Sequence, residues 1–124
     1  MNRRLLVMLV ACGWLLLSHS GAAHHSTAMY DSQNPVTVTG SVKKFEWTNP
    51  HAFVYLEVKD EQTGKLVEWE CEMMSLNHLR GYGWTSKTVK PGDPLSATGA
   101  PAKSGAPSMI ANRMKLPDGR EIRS

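Results

Sequence analysis

The sequence predicts a small all-β domain with one short helix, and three observations lead to that prediction. Apolar and polar residues alternate in several short runs, a period typical of strands. Turn sequences rich in glycine, proline, asparagine and aspartate separate these runs. A helical segment follows the third run, and two further strand signals follow the helix. This order is typical of a five-stranded Greek-key barrel of the OB type, with an open meander or small sandwich as the alternative.

Residues 1–23 have the composition of a cleavable secretion signal. Arg3-Arg4 precedes an apolar run at 5–17, which is shorter than the about 20 residues that a membrane-spanning helix needs. Small residues follow at 21–23, and this order predicts a signal peptide cut after Ala23 or, alternatively, after Ala22. We therefore expect a periplasmic or secreted bacterial protein with no stable membrane span after cleavage.

Cys12 offers a less favoured interpretation of the same segment. Residues 9–12 are similar to a lipobox, in which the cysteine becomes the acylated N-terminus of a lipoprotein. Cleavage there would leave the apolar residues 14–17 on the mature chain. It would also shorten the apolar run before the cut to about seven residues, the lower limit for a signal peptide.

The exported part of the chain is close to electrically neutral. The whole sequence has 14 Lys and Arg against 11 Asp and Glu, and signal cleavage removes Arg3 and Arg4. The sequence has no basic block or stripe of the kind that nucleic-acid binding needs, so we expect no nucleic-acid partner. Cys71 becomes the single cysteine, which excludes an internal disulfide.

The N-terminal half of the mature chain contains three predicted strands. Residues 24–35 are polar, and we interpret them as an extended arm before an OB-like barrel domain at 36–124. Gly40 interrupts the first strand and indicates a bulge or sharp bend. In the second strand Ala52, Val54, Leu56 and Val58 form one face, and Phe53 and Tyr55 make the start of the other face apolar as well. In the third strand we expect Val67, Trp69, Cys71 and Met73 to point inward, and Glu68, Glu70 and Glu72 to point outward.

The C-terminal half contains the helix and the last strands. Ser75 is the expected N-cap of a helix from Leu76 to Arg80, which Gly81 ends. Leu76 and Leu79 have the spacing to face the core. The two remaining strand signals lie at 95–99 and 109–116, and a turn at 117–119 then leads the chain back into residues 121–122.

Four histidines remain after signal cleavage, and we interpret three of them as candidate metal ligands: His24, His25 and His51. The first two lie beside the new N-terminus, whose α-amine is a further nitrogen donor. Cleavage after Ala22 would make His25 the third residue of the mature chain. The N-terminal amine, two backbone amides and the imidazole of such a residue form a square-planar set of nitrogen donors suited to Cu(II) or Ni(II). His51 follows an Asn-Pro turn and opens a strand. His78 is a further, less favoured candidate ligand. Two alternatives involve no metal ion. His24 and His25 would then belong to a solvated N-terminus, and His51 would form a hydrogen bond with the backbone of the turn.

Other residue types have competing interpretations. Met29, Met73 and Met74 are soft donors suited to Cu(I), although methionines more often fill cores. The glutamates of the third strand could act as acid–base groups, but such a stripe is more often a solvated face. Because there is also no nucleophile elbow, we expect no catalytic residue and no enzyme. Residues on turns and loop tips are candidates for binding a partner; these are Trp47, Asn49, Tyr82 and Trp84.

An ordered set of short motifs extends over essentially the whole mature chain. The motifs are His24-His25-Ser26, Tyr30-Asp31, Val38-Thr39-Gly40-Ser41-Val42, Trp47-Thr48-Asn49-Pro50-His51, Gly83-Trp84, Lys90-Pro91-Gly92-Asp93 and Asp118-Gly119-Arg120. This set resembles a family of small exported bacterial proteins known as a domain of unknown function. More distantly, the chain is similar to small periplasmic OB-fold proteins implicated in stress responses. The resemblance implies export and a compact β-fold, but no reaction.

Two functions follow as expectations. The first is an envelope binding protein that holds copper or another divalent metal ion through His24, His25 and His51. The second is an interaction module whose barrel face binds a peptide, a glycan or an envelope partner protein.

Overall fold

The chain forms six strands and one α-helix over residues 27–124, which are the residues that the computed structural model describes. The strands are β1 (Val36–Glu46), β2 (Phe53–Lys59), β3 (Leu66–Glu72), β4 (Pro94–Pro101), β5 (Ser108–Lys115) and β6 (Glu121–Arg123). The helix α1 (Leu76–Gly81) lies between β3 and β4, and a 3-10 turn, Thr27–Met29, precedes β1. The predicted signal peptide, the lipobox and the histidines at 24 and 25 lie outside the described residues.

Five of the strands close into a barrel. Neighbouring strands pair in the order β3-β2-β1-β4-β5, and all of these pairs are antiparallel. A short parallel pairing from Glu70↔Ser108 to Glu72↔Ile110 joins β3 to β5, so the sheet closes on itself. Closure leaves few free strand edges. The predicted five-stranded OB-like barrel with one short helix is therefore confirmed, and the open meander and sandwich alternatives are wrong.

Gly40 allows close strand packing instead of marking a bulge. A Cβ atom at this position would lie 2.2 Å from the carbonyl oxygen of Glu57 on β2, a distance that no real side chain tolerates. The register shift of β1 against β2 lies between Val42 and Lys44. Of the two predicted alternatives, the bulge lies at a different position from Gly40, while the sharp bend stays a prediction; a glycine is required here because a neighbouring backbone approaches.

The barrel interior contains most of the residues that the alternation assigned to it. Ala52, Val54, Leu56 and Cys71 are fully buried, and Leu76 and Leu79 of α1 face the same core. Burial raises the pKa of the Cys71 thiol to about 12, which keeps this group protonated and unreactive.

Trp84 belongs to the core and not to the surface. Its side chain is 1% exposed, and its indole N–H donates a hydrogen bond of 2.7 Å to the backbone carbonyl of Arg123. The expectation that Trp84 is displayed to a partner is therefore wrong, because this indole is among the largest side chains that fill the barrel.

The described part of the N-terminal arm is docked on the barrel. Tyr30 forms an isolated bridge with Ala102. The Asp31 N–H donates to the Pro101 carbonyl at 2.8 Å, and the Lys103 N–H donates to the Met29 carbonyl at 2.9 Å. From Thr27 onward the arm therefore follows the end of β4. Within residues 27–124, no helix has both the length and the apolar character to cross a bilayer.

Candidate metal-binding cleft

A cleft of about 840 Å³ lies between the start of β2, the end of β3, α1, β5 and β6. Its lining includes residues with side chains that can bind a metal ion, namely His51, Glu72, Met74 and His78, and also the polar or charged residues Ser75, Tyr82, Asn112, Arg113, Glu121, Arg123 and Ser124. Thr27, the first described residue, lines the same cleft. The fold thus brings two of the histidines that the sequence contains together with the beginning of the docked arm.

Glu72 is a buried carboxylate in contact with His51. Its side chain is only 7% exposed, and its Oε1 atom contacts Nδ1 of His51, whose own side chain is 47% exposed. Burying a carboxylate is costly unless a donor faces it, and an imidazole lone pair aimed at Oε1 would be repulsive. Nδ1 therefore carries the proton, and in the neutral ring Nε2 keeps its lone pair. The contact sets both the tautomer and the orientation of His51.

The burial of Glu72 corrects the prediction that all three glutamates of β3 face solvent. Alternation does place Glu68, Glu70 and Glu72 on one face of the strand. At the end of that face, however, Glu72 pairs across the sheet with Phe53 and is covered by His51. The sequence contains one indication that this end of the outer face is buried, because apolar residues occupy both faces at the start of β2.

His78 is oriented in a similar way from the helix. Its Nδ1 atom lies 2.9 Å from the hydroxyl oxygen of Ser75. Ser75 occupies the predicted N-cap position of α1, but its side chain makes no capping hydrogen bond. The Nε2 atoms of His51 and His78 have no hydrogen-bond partner among residues 27–124.

Asn49 caps the helix instead. The Leu76 N–H donates a hydrogen bond of 3.1 Å to Oδ1 of Asn49, which satisfies one of the free donors at the start of α1. The turn that contains Asn49, with its cis Asn49–Pro50 bond, is thereby tied to the helix. This tie connects the segment that presents His51 to the helix that presents His78.

Met74 and Tyr82 also line the cleft. The Met74 side chain is 39% exposed, whereas that of Met73 is 3% exposed and belongs to the core. The Tyr82 hydroxyl donates a hydrogen bond of 3.8 Å to the Met74 sulfur. The Arg123 guanidinium lies 4.9 Å from the centre of the Tyr82 ring, a distance typical of a cation–π contact.

The remaining candidates from the sequence lie elsewhere. Trp47 is half-buried, packs edge-on against Phe45 with 5.7 Å between ring centres, and has the Arg80 guanidinium 5.8 Å from its ring. His24 and His25 lie outside the described residues. No group of three His, Cys, Asp or Glu side chains within residues 27–124 is arranged to hold a metal ion. A complete site therefore needs a donor beyond His51 and His78.

Comparison with known protein families identifies the group to which the chain belongs. A family model described as a family of unknown function, DUF6152, matches residues 13–111. The chain is a member of the DUF6152 family. The match includes all of the histidines named above, together with Glu72 and Met74. No curated protein matches this DUF6152 chain.

Proposed function

We propose that this protein is an exported, non-enzymatic protein of the bacterial cell envelope that binds copper or another divalent metal ion. His51 is the central ligand, His24 and His25 supply further nitrogen donors, and His78 is an additional candidate. Export rests on the signal sequence of residues 1–23. The observation that carries the proposal is the contact between the buried Glu72 carboxylate and Nδ1 of His51.

This contact has the form that orients histidine ligands in metal sites. A metal-binding histidine usually donates its other ring N–H to a carboxylate, which sets the tautomer and makes the ligand nitrogen more basic. In His51 the carboxylate lies on the buried side, and the half-exposed ring directs Nε2 away from Glu72. The ring is therefore prepared to bind a cation from the cleft.

His78 gives the cleft a second oriented imidazole. Its Nδ1 atom is engaged by Ser75, so its Nε2 atom is also the nitrogen left for a ligand. Two imidazoles that line one cleft suit Zn(II) and copper, and Cu(II) binds nitrogen donors most tightly among the common divalent ions.

The N-terminal histidines are within covalent reach of the cleft. Thr27 lines it, and an extended chain spans at most about 3.6 Å per residue. His25 and His24 precede Thr27 by only two and three residues in the sequence. Either imidazole, or the new α-amine after signal cleavage, can supply a further nitrogen donor beside His51 and His78.

Calorimetric titration of Cu(II) and Zn(II) into the mature protein tests this proposal. The protein is produced by export so that its N-terminus is authentic, and His51→Ala is compared with Gln62→Ala in the exposed hairpin loop. We expect one-to-one binding, weakened about tenfold or more by His51→Ala and unchanged by the control. If His51→Ala leaves metal binding unchanged, the ions bind to the N-terminal arm alone, and the cleft site is refuted. No binding at all would refute metal binding altogether.

The alternative of an interaction module has less support. Trp84 is buried, and Trp47 and Tyr82 each have an arginine over the ring. Asn49 uses its side-chain oxygen to cap α1. A peptide, glycan or partner protein would therefore find few free aromatic faces among these residues, and this function becomes the leading one if no metal binds.

A further inference from the structure

We propose that the cleft also binds the cuprous ion, and that the thioether of Met74 is its third ligand beside His51 and His78. This inference rests on the proposed function, since it requires that His51 binds copper. It goes further by naming a ligand of a different chemical type and an oxidation state of the metal.

The backbone places Met74 beside the segment that leads from His51 into β2. The N–H of Ala52, the residue after His51, donates a hydrogen bond of 3.2 Å to the Met74 carbonyl. The N–H of Met73 donates one of 2.8 Å to the Ala52 carbonyl. These two bonds continue the pairing of β2 with β3, so Met74 is held at the end of a ladder and not on a free loop.

The side chain of Met74 faces the cleft and not the core. Met73 provides the comparison, because it is the preceding residue of the same type and its side chain is buried. Met73 and Met74 both line the cleft with His51 and His78, but of the two methionines only Met74 is exposed to solvent, at 39% against 3% for Met73. A core-filling role, the usual role of methionine, therefore belongs to Met73 and does not account for Met74.

Tyr82 holds the sulfur atom within the cleft. Its hydroxyl lies 3.8 Å from the sulfur, and its ring is packed against Arg123. A thioether sulfur has two lone pairs, so one hydrogen bond leaves an electron pair for a metal ion. The tyrosine thus orients the soft donor as Glu72 and Ser75 orient the two imidazoles.

Ligand chemistry separates the metal ions that such a cleft can hold. Thioethers are soft, uncharged ligands that favour Cu(I), while imidazoles serve both copper and zinc. Two imidazoles and one thioether make an uncharged three-ligand set for Cu(I). Met74 therefore contributes to the binding of Cu(I) and little to that of Zn(II).

Anaerobic competition for Cu(I) against a chromophoric chelator tests this proposal on the mature protein. Met74→Leu removes the sulfur at nearly constant volume, and Met29→Leu is the matched control at an exposed methionine outside the cleft lining. We expect Met74→Leu to weaken Cu(I) binding about tenfold or more, at least the usual effect of losing a group that only orients a ligand. Zn(II) affinity should change less than about twofold, and Met29→Leu should leave both affinities unchanged.

The outcomes separate this inference from the proposed function. Unchanged Cu(I) affinity in Met74→Leu would overturn the thioether ligand, while His51→Ala would still report on the metal site. An equal loss of Cu(I) and Zn(II) affinity would assign Met74 a structural role and also overturn it. X-ray absorption of the Cu(I)-loaded protein gives an independent readout, since a copper–sulfur distance present in the wild type must disappear in Met74→Leu.

Discussion

At the scale of single residues, Glu68 and Glu72 show how position changes the role of one side-chain type. Both lie on the same face of β3. The Glu68 carboxylate is 47% exposed and forms a salt bridge of 2.6 Å with Lys43, a surface pair that contributes little to stability. Glu72 is buried and contacts His51. Only the second carboxylate can orient a histidine toward the cleft.

This difference leads to the first prediction, which concerns Glu72→Gln. An amide accepts the His51 N–H less strongly than a carboxylate, so the ring loses its defined orientation. We expect Zn(II) affinity of the mature protein to fall about 10–100-fold, the usual effect of losing such a partner. Glu68→Gln, the matched control on the same strand face, should leave calorimetric affinity unchanged. Equal affinities in the two variants would contradict the role of Glu72.

At the scale of elements, α1 depends on a residue that lies far from it in sequence. Helix N-termini have free N–H groups that a nearby side chain usually satisfies. The residue at the N-cap position, Ser75, is occupied with His78, and the cap is supplied by Asn49. The helix and the Asn-Pro-His turn are therefore one unit, and this unit brings the two histidines into the same cleft.

The second prediction tests this unit through Asn49→Ala. Loss of the capping oxygen leaves the Leu76 N–H without its acceptor, and we expect the free energy of unfolding in urea to fall by about 1 kcal/mol. Ser75→Ala should have a smaller effect on stability, because its hydroxyl does not cap the helix. The assignment of the cap fails if Ser75→Ala proves the more destabilising of the two.

At the scale of the whole molecule, closure of the barrel brings distant backbones into close contact. Gly40 lies where β1 passes the Glu57 carbonyl, and Gly99 of β4 lies where a Cβ atom would be 2.1 Å from the Ile110 carbonyl oxygen. A second register shift, in β4 against β5, occurs between Thr98 and Gly99. Both glycines thus remove side-chain volume where neighbouring strands of the curled sheet approach.

The third prediction concerns Gly40→Ala. The new methyl group would overlap the Glu57 carbonyl, so strands β1 and β2 must separate. We expect a loss of about 2 kcal/mol or more in the free energy of unfolding. Gly81→Ala is the control, because no atom lies within 4 Å of a Cβ there, and alanine favours helix. Equal urea midpoints for wild type and Gly40→Ala would show that the barrel accommodates the methyl group.

Much of the fold was accessible from local sequence. The alternation around Ala52, Val54 and Leu56 predicts their burial, because the period of a strand depends only on its own backbone. The positions of α1 and of the turns follow from capping and turn residues in the same way. The order of these elements was sufficient to predict the barrel.

The arrangement of the cleft was decided by tertiary structure. Alternation correctly assigned Glu72 to the outer face, but its burial depends on His51, which reaches it across the pairing of β2 with β3. Turn-like neighbours indicated an exposed Trp84, whereas the closed barrel leaves room for this indole inside. The sequence by itself determined the strands, the helix and the candidate histidines, since these depend on neighbouring residues. Only long-range pairing decided which side chains share the cleft, because those contacts join segments that are remote along the chain.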